Sequence, residues 1–450
     1  MSVKARKTGT RKAVSKAPQA APKAEDASEA PSMDEVWIEG GKKLRGSVPV
    51  SGSKNATLPI LTATLLCPGI YRFSNVPDLK DVATMLELLS RFGVRSKRED
   101  GHALFVDSTH SKNAEAPYEL VKQMRASVYV LGPLLARFGE ARVSLPGGCA
   151  WGPRPVDLHI KGMQKLGAEV EIEHGYIVAR CDKLRGSTIS FEISSVGATG
   201  NVLMAAAAAE GETVIENAAC EPEIEALEQF LVSTGVEIEG VGTSRLRVHG
   251  SRRLHPQDAA MIPDRIEAGT FLAAAAITGG DVEATNMEPG HLEAVFGKLE
   301  EAGAEVTVSE RSVRVRAPER LRPLHVTTAP YPGFPTDMQA QFMALLSVAG
   351  GTSTITDTIY QDRFTHVAEL LRLGADIRVD GNTATVHGVP SLSGAPVMAT
   401  DLRASAALIL AGLVAQKETK VSRIYHLDRG YERIEEKLQG LGAAIRRVRA

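Results

Sequence analysis

A cysteine held between two glycines and two prolines is the most chemically suggestive feature of the chain. Residues 145–159 read LPGGCAWGPRPVDLH. Gly147 and Gly148 allow the backbone positive φ, and Pro153 and Pro155 stiffen the segment after the cysteine, so Cys149 falls on a loop and not on an apolar face. A thiol beside Arg154 can be tuned as an acid, a base or a nucleophile. The competing reading of a lone cysteine is a small buried hydrophobe.

Other polar residues recur in two slots. The first slot opens an apolar helical stretch and holds Lys54 with Asn55, Arg125, Ser195, Asp264 with Arg265, Asp337, and Asp401 with Arg403. The second lies before another helix and holds Cys149 with Arg154, Glu221, Arg363, and Asp428 with Arg429. Helix N-termini present free N–H groups and partial positive charge, so several converging on a cleft make an anion site. A cation there opposes the helix dipole by a few tenths to about 1 kcal/mol. Lys54, Arg125 and Arg265 in that slot therefore point to a ligand that brings negative charge. Like charges facing across an empty cleft repel, and an anion would relieve them. The alternative is salt bridging to Asp264, Asp337, Asp401 and Asp428.

These slots are positioned by a repeat. Six segments, beginning near Lys54, Arg125, Ser195, Arg265, Asp337 and Asp401, share one order: polar anchor, Ala- and Leu-rich helix, strand, loop, second helix, glycine turn, two strands. The spacing is about 70 residues and shorter for the last. The first helices, such as GTFLAAAAITG and ASAALILAGLV, are apolar nearly all round, which places them inside with sheet packed about them. The second helices close on turns such as KLGAEVEI and RLGADIRV, each a glycine cap leading into an alternating strand. The sixth copy ends early, and VWIEGGKKLRGSVPVSG is a spare strand pair that completes the last repeats. The expected architecture is α/β, with one lobe from 35–53 plus 263–450 and the other, carrying the Cys149 loop, from 54–262. Two chain crossings between lobes make a hinge beside an inter-lobe cleft.

The rest of the sequence narrows the function by exclusion. A net charge of −2 over 450 residues argues against a nucleic-acid coat. Four cysteines without CxxC spacing argue against a disulfide scaffold or a structural zinc site and fit a reducing cytoplasm. No apolar run approaches the roughly 20 residues needed to span a bilayer. Residues 1–34, rich in Ala, Pro, Lys and Ser, read as a disordered tail of unknown partner. GSKNAT at 52–57 lacks Walker spacing, no HExxH occurs, and no motif calls for a metal or cofactor. His159 and His426 read as hydrogen-bonding groups, and Trp151 as a loop anchor.

In SGSKNA, MRAS, LPGGC, GPRPVDLHI, SVGAT, IPDRIE, FPTDMQAQF, TDLRAS and YHLDRGYERIE, taken in order from about residue 36 to the end, the chain resembles the enolpyruvyl transferase family, and within it the branch acting on UDP-N-acetylglucosamine. The resemblance implies an inside-out α/β barrel in two lobes of three repeats. It implies transfer of the enolpyruvyl group of phosphoenolpyruvate to the sugar 3-hydroxyl, with release of phosphate, in peptidoglycan precursor synthesis. On the matching positions, Lys54, Arg154 and Arg429 would hold phosphoenolpyruvate, and Asn55 and Asp337 would sit at the sugar. Arg125, Arg154, Pro155, Val156, Asp157 and Leu158 would line the nucleotide-sugar site, with Ser194, Ser195, Val196, Gly197, Ile359 and Arg403 also binding substrate. Cys149 would be the general acid and the target of fosfomycin, and Asp337 the base. The chain departs from the family at Ile193, where lysine is usual, at Cys220, where arginine is frequent, and at Tyr129 and Trp151.

The implied chemistry is addition followed by elimination. Protonating the substrate methylene makes the adjacent carbon electrophilic, so acid and base must flank the substrate, with Lys54, Arg154 and Arg429 neutralising its charges. Rival readings are the shikimate-phosphate enzyme of the same fold, which lacks the cysteine loop, and a non-catalytic or regulatory relative.

Overall fold

The computed structural model describes residues 34–99, 101–146, 156–360 and 362–449. The tail to residue 33 and residues 147–155, with Cys149, Trp151, Arg154 and Pro155, lie outside the described residues.

Six four-stranded sheets share one connectivity: a parallel pair, then two antiparallel strands. In the third unit, for example, Thr188–Ser190 runs parallel to Glu212–Glu216, which pairs antiparallel with Arg245–His249 and through it with Glu237–Glu239. Inside them lie the apolar helices. Every residue of Arg265–Thr278 and of Gln339–Leu346 is buried, and so is Arg403 to Leu413 of Leu402–Val414. A Leu or Phe buried in this way contributes roughly 1.5–3 kcal/mol, so the interior belongs to the helices and the sheets turn one face to solvent. The second helices end on Gly93, Gly167, Gly235, Gly303, Gly374 and Gly442, all at φ between 87° and 105°.

Among the described residues, two inner helices are entered through a 3-10 turn, one of them Gln339–Leu346 through Thr336–Met338. In the other, Arg125–Val130 is a 3-10 turn that runs into the α-helix Leu131–Phe138. Pro133 has no N–H to give to Tyr129, and the tighter turn absorbs the missing bond.

The buried apolar side chains separate into two cores, one drawn from residues 56–261 and one from 36–50 with 266–445. Glu35–Glu39 pairs with Glu418–Ser422 and Ala444–Val448 in the sixth sheet, and Arg45–Pro49 pairs with Asp281–Thr285 in the fourth. Ala259–Ala260 returns to pair with Ile70–Ser74, so each half closes on itself. Between the halves the chain crosses twice, side by side: Ser53 N–H donates to Ile262 O at 2.7 Å, and Asp264 N–H to Ser51 O at 2.8 Å.

Candidate active site

Two clusters, each a carboxylate between two cations, stand at the helix N-termini. In the first, Asp337 sits in the turn Thr336–Met338 at the head of Gln339–Leu346. Arg363 Nη2 donates to its Oδ1 and Arg403 Nη2 to its Oδ2, each at 2.7 Å. Burial alone would raise the Asp337 pKa, but Arg403 and Arg363 hold it well below the usual carboxylate range. Arg403 is fixed in turn by Tyr431, whose hydroxyl accepts from its Nη1 at 3.2 Å and lies 2.9 Å from Thr270 Oγ1.

In the second cluster, Asp81, in the first turn of Lys80–Arg91, lies between Lys54 and Arg429. Lys54 Nζ is 3.3 Å from its Oδ2, and Arg429 Nε donates to its Oδ1 at 2.8 Å. Burial lowers the Lys54 pKa; Asp81 opposes that shift, while Arg403 and Arg429 add to it. Asp337 also acts on Lys54 electrostatically, so the two clusters adjoin. Each sets two cations around one carboxylate, which suits an anionic ligand with more than one charged group.

A third neighbourhood gathers Arg125, Tyr129, His159 and the start of Val196–Ala206. Ser195 caps that helix, accepting from Ala198 N–H at 3.3 Å, and Tyr129 OH donates to Val196 O at 3.4 Å. Burial and then Arg125 push the His159 pKa down to about 4, so the ring is neutral. Asn201 Nδ2 donates to His159 Nδ1 at 3.0 Å, leaving Nε2 as the protonated nitrogen beside Gly197. A groove of about 470 Å³ runs from Leu158 between the helix Asp157–Lys165 and the strand Thr188–Ser190. Ile193 is 72% exposed nearby in the chain and brings no charge.

Several expectations change. Lys54 and Arg265, two of the three cations expected to stand bare across a cleft, are paired. Arg265 is bound by Glu223 through Nε at 3.0 Å and Nη2 at 3.2 Å, and Lys54 and Arg429 share Asp81. The partners are not the expected ones, except for Asp337. Asp264 and Asp401 spend their carboxylates capping helices, and Asp428 binds Arg447 at 2.5 Å. Nδ1 of His426 finds no hydrogen bond among the described residues. Asn55 and Ile359 are half-buried near the clusters in sequence, Ile359 N–H donating to Asp357 Oδ1 at 2.9 Å. Asp81 and Glu223 were not singled out by the sequence. Both occupy the slot before or at the start of a second helix, and that equivalence was the available signal.

Among the described residues, Glu237, Glu239 and His249 could together face a metal ion, but they lie on an outer sheet with Arg247 bound at 3.4 Å to Glu239.

Residues 38–438 match the family described as EPSP synthase (3-phosphoshikimate 1-carboxyvinyltransferase), and the chain belongs to this family of enolpyruvyl transferases. Within it, the chain is 57% identical over 417 residues to the UDP-N-acetylglucosamine 1-carboxyvinyltransferase of Geobacter metallireducens, covering 93% of this chain and 100% of that one. It is 56% identical to the protein of the same name from Chlorobium phaeovibrioides, covering 92% and 98%. Among solved structures, the enolpyruvyl transferase NikO from Streptomyces tendae superposes with a TM-score of 0.84 at 28% identity, covering 93% of this chain and 100% of that chain. EPSP synthase from Acinetobacter baumannii shares the fold at 18% identity, with a TM-score of 0.73 and coverage of 92% and 100%. The architecture is thus the inside-out α/β arrangement of enolpyruvyl transferases.

Proposed function

We propose that this protein transfers the enolpyruvyl group of phosphoenolpyruvate to the 3-hydroxyl of UDP-N-acetylglucosamine, releasing phosphate, the first committed step of peptidoglycan precursor synthesis. The observation that carries the reading is 57% identity along the whole length of a relative so named. The cation clusters at Asp81 and Asp337 support it, the first offering Lys54 and Arg429 to phosphoenolpyruvate and the second placing Arg403 beside Asp337 on the sugar side.

In this reading Lys54 and Arg429, with Arg154, hold phosphoenolpyruvate. Arg125, Ser194 to Gly197 and Val156 to Leu158, with Arg154 and Pro155, hold the nucleotide, and Asn55, Ile359 and Arg403 complete the sugar side. The 3-hydroxyl oxygen bonds to the central carbon of phosphoenolpyruvate as Cys149 protonates the methylene and Asp337 takes the hydroxyl proton. The Cys149 thiolate then takes back a methyl proton as the carbon–oxygen bond to phosphate breaks, which restores the double bond. With both oxygens engaged by arginines, Asp337 is a weak base in the free protein. Substrate anions compete for Arg363 and Arg403 and so raise its proton affinity at the moment of use. The halves close further on the sugar nucleotide, adding to the existing ties between them. The protein acts in the cytoplasm, supports cell-wall growth and division, and is a fosfomycin target.

The test is phosphate release from phosphoenolpyruvate with UDP-N-acetylglucosamine, with shikimate 3-phosphate, and with no acceptor. Release that depends on UDP-N-acetylglucosamine alone is the expected result; release with shikimate 3-phosphate, or none at all, refutes it. Cys149→Ala should abolish turnover, whereas Cys149→Asp should keep part of it and resist fosfomycin, because a carboxylic acid donates a proton but is alkylated less readily.

A further inference from the structure

The two carboxylate clusters differ in one respect. Arg363, Asp337 and Arg403 all lie in the half with the 266–445 core, whereas Asp81 and Lys54 lie in one half and Arg429 in the other. Asp81 is 3% exposed, and its Oδ2 also lies 3.5 Å from Arg429 Nη2. The same two segments are tied again three residues away on each side. Asp78 N–H donates to Glu432 Oε2 at 3.2 Å, and His102 Nε2 is 2.8 Å from Glu432 Oε1. Segments 78–81 and 429–432 are therefore clasped at both ends.

A buried carboxylate is a costly thing to place where an anion must bind, since it repels the ligand and gives up its own hydration. What it supplies is geometry and charge for its neighbours. Lys54 faces Asp81, Arg429, Arg403 and Asp337, and its backbone N–H reaches Asp264 Oδ2 at 3.4 Å. Of these, Asp81 is the carboxylate that its ammonium group touches. Arg429, 30% exposed, has in Asp81 an anchor belonging to the opposite half.

We propose that Asp81 is a positioning residue for the transfer reaction, making Lys54 and Arg429 one anion-binding pair that is complete only when the two halves are together. The inference rests on the reading above, in which that pair holds phosphoenolpyruvate. Asp81 touches no reacting atom and acts through its two partners.

The experiment is phosphate release by the full chain, varying phosphoenolpyruvate at saturating UDP-N-acetylglucosamine across neutral and alkaline pH, for wild type, Asp81→Asn, Asp81→Glu and Glu432→Gln. For Asp81→Asn, KM for phosphoenolpyruvate should rise roughly tenfold or more, with kcat and the sugar-nucleotide KM changed less than about threefold. The alkaline limb of kcat/KM should also move to lower pH, because the Lys54 ammonium loses the anion that favours it. Asp81→Glu should restore that limb in part. Glu432→Gln loosens the clasp without touching Lys54 and should raise KM with the limb unmoved, which keeps the inference testable if Asp81→Asn does not fold. Wild-type KM and pH limb in a folded Asp81→Asn, or wild-type KM in Glu432→Gln when Asp81→Asn is unfolded, overturn the inference alone. A wild-type protein that releases no phosphate overturns the activity reading and the inference with it.

Discussion

Asp337→Asn separates the two things a carboxylate at the head of a helix can do. As a base, Asp337 is worth roughly 10²-fold in turnover, and the amide should lose that while sugar-nucleotide affinity changes little. As a structural charge, it neutralises Arg363 and Arg403, which are 8% and 4% exposed, so its removal leaves buried cations without this counter-charge. The variant should therefore also melt several degrees lower at pH 7. Because the folded-state pKa of Asp337 lies below its unfolded value, this stability is present above the ordinary carboxylate range and is lost as pH falls through the folded value. Calorimetry should show the gap between wild type and variant narrowing below about pH 4. Turnover near the wild-type rate would move the base elsewhere. Lys54, Asp337, Arg403 and Arg429 were legible from their repeated slot in the sequence. Asp81 and Glu223 were not, because an acidic residue in a first helical turn is already explained by the dipole, and only the fold shows which cation it meets.

At the scale of elements, helices and their glycine caps could be read directly, since period and punctuation are local. The contacts of the crossing segments could not, because their partners are distant in sequence. Gly52 shows the consequence: a Cβ there would stand 1.8 Å from Asn75 O, a backbone atom that cannot step aside. Gly52→Ala should force the crossing apart and lower the melting temperature by several degrees, as overpacking does. An unchanged melt would mean the crossing tolerates displacement. Glu228, on the helix Pro222–Ser233, is fully buried, accepts Gly242 N–H at 2.7 Å through Oε2, and has no partner for Oε1 among the described residues. Burial raises its pKa to about 7. Folding thus favours its neutral form: the stability it contributes is full below its unfolded pKa, is lost as pH rises through about 7, and leaves a cost of at most about 3 kcal/mol above that. Glu228→Gln should match wild type near pH 5 and melt higher near pH 8; an equal difference at both would refute the assignment.

For the whole molecule, the position of the crossings matters more than any single contact. Residues 54–262 have their own core, their edge strand Ala259–Ala260 closes on Ile70–Ser74, and their two ends lie side by side. Expressed alone, this piece should fold and melt cooperatively by circular dichroism; a chain without helical signal or a transition would show that it depends on the other half. The same closure sets a timetable for a chain made from its N-terminus. Glu35–Glu39 is made long before its strand partners, both of which lie between residues 418 and 448. Val36 and Ile38, wholly buried in the finished protein, must wait uncovered until those partners have been made. The ribosome can complete one half early, and it completes the other only by bringing its first strand to meet its last.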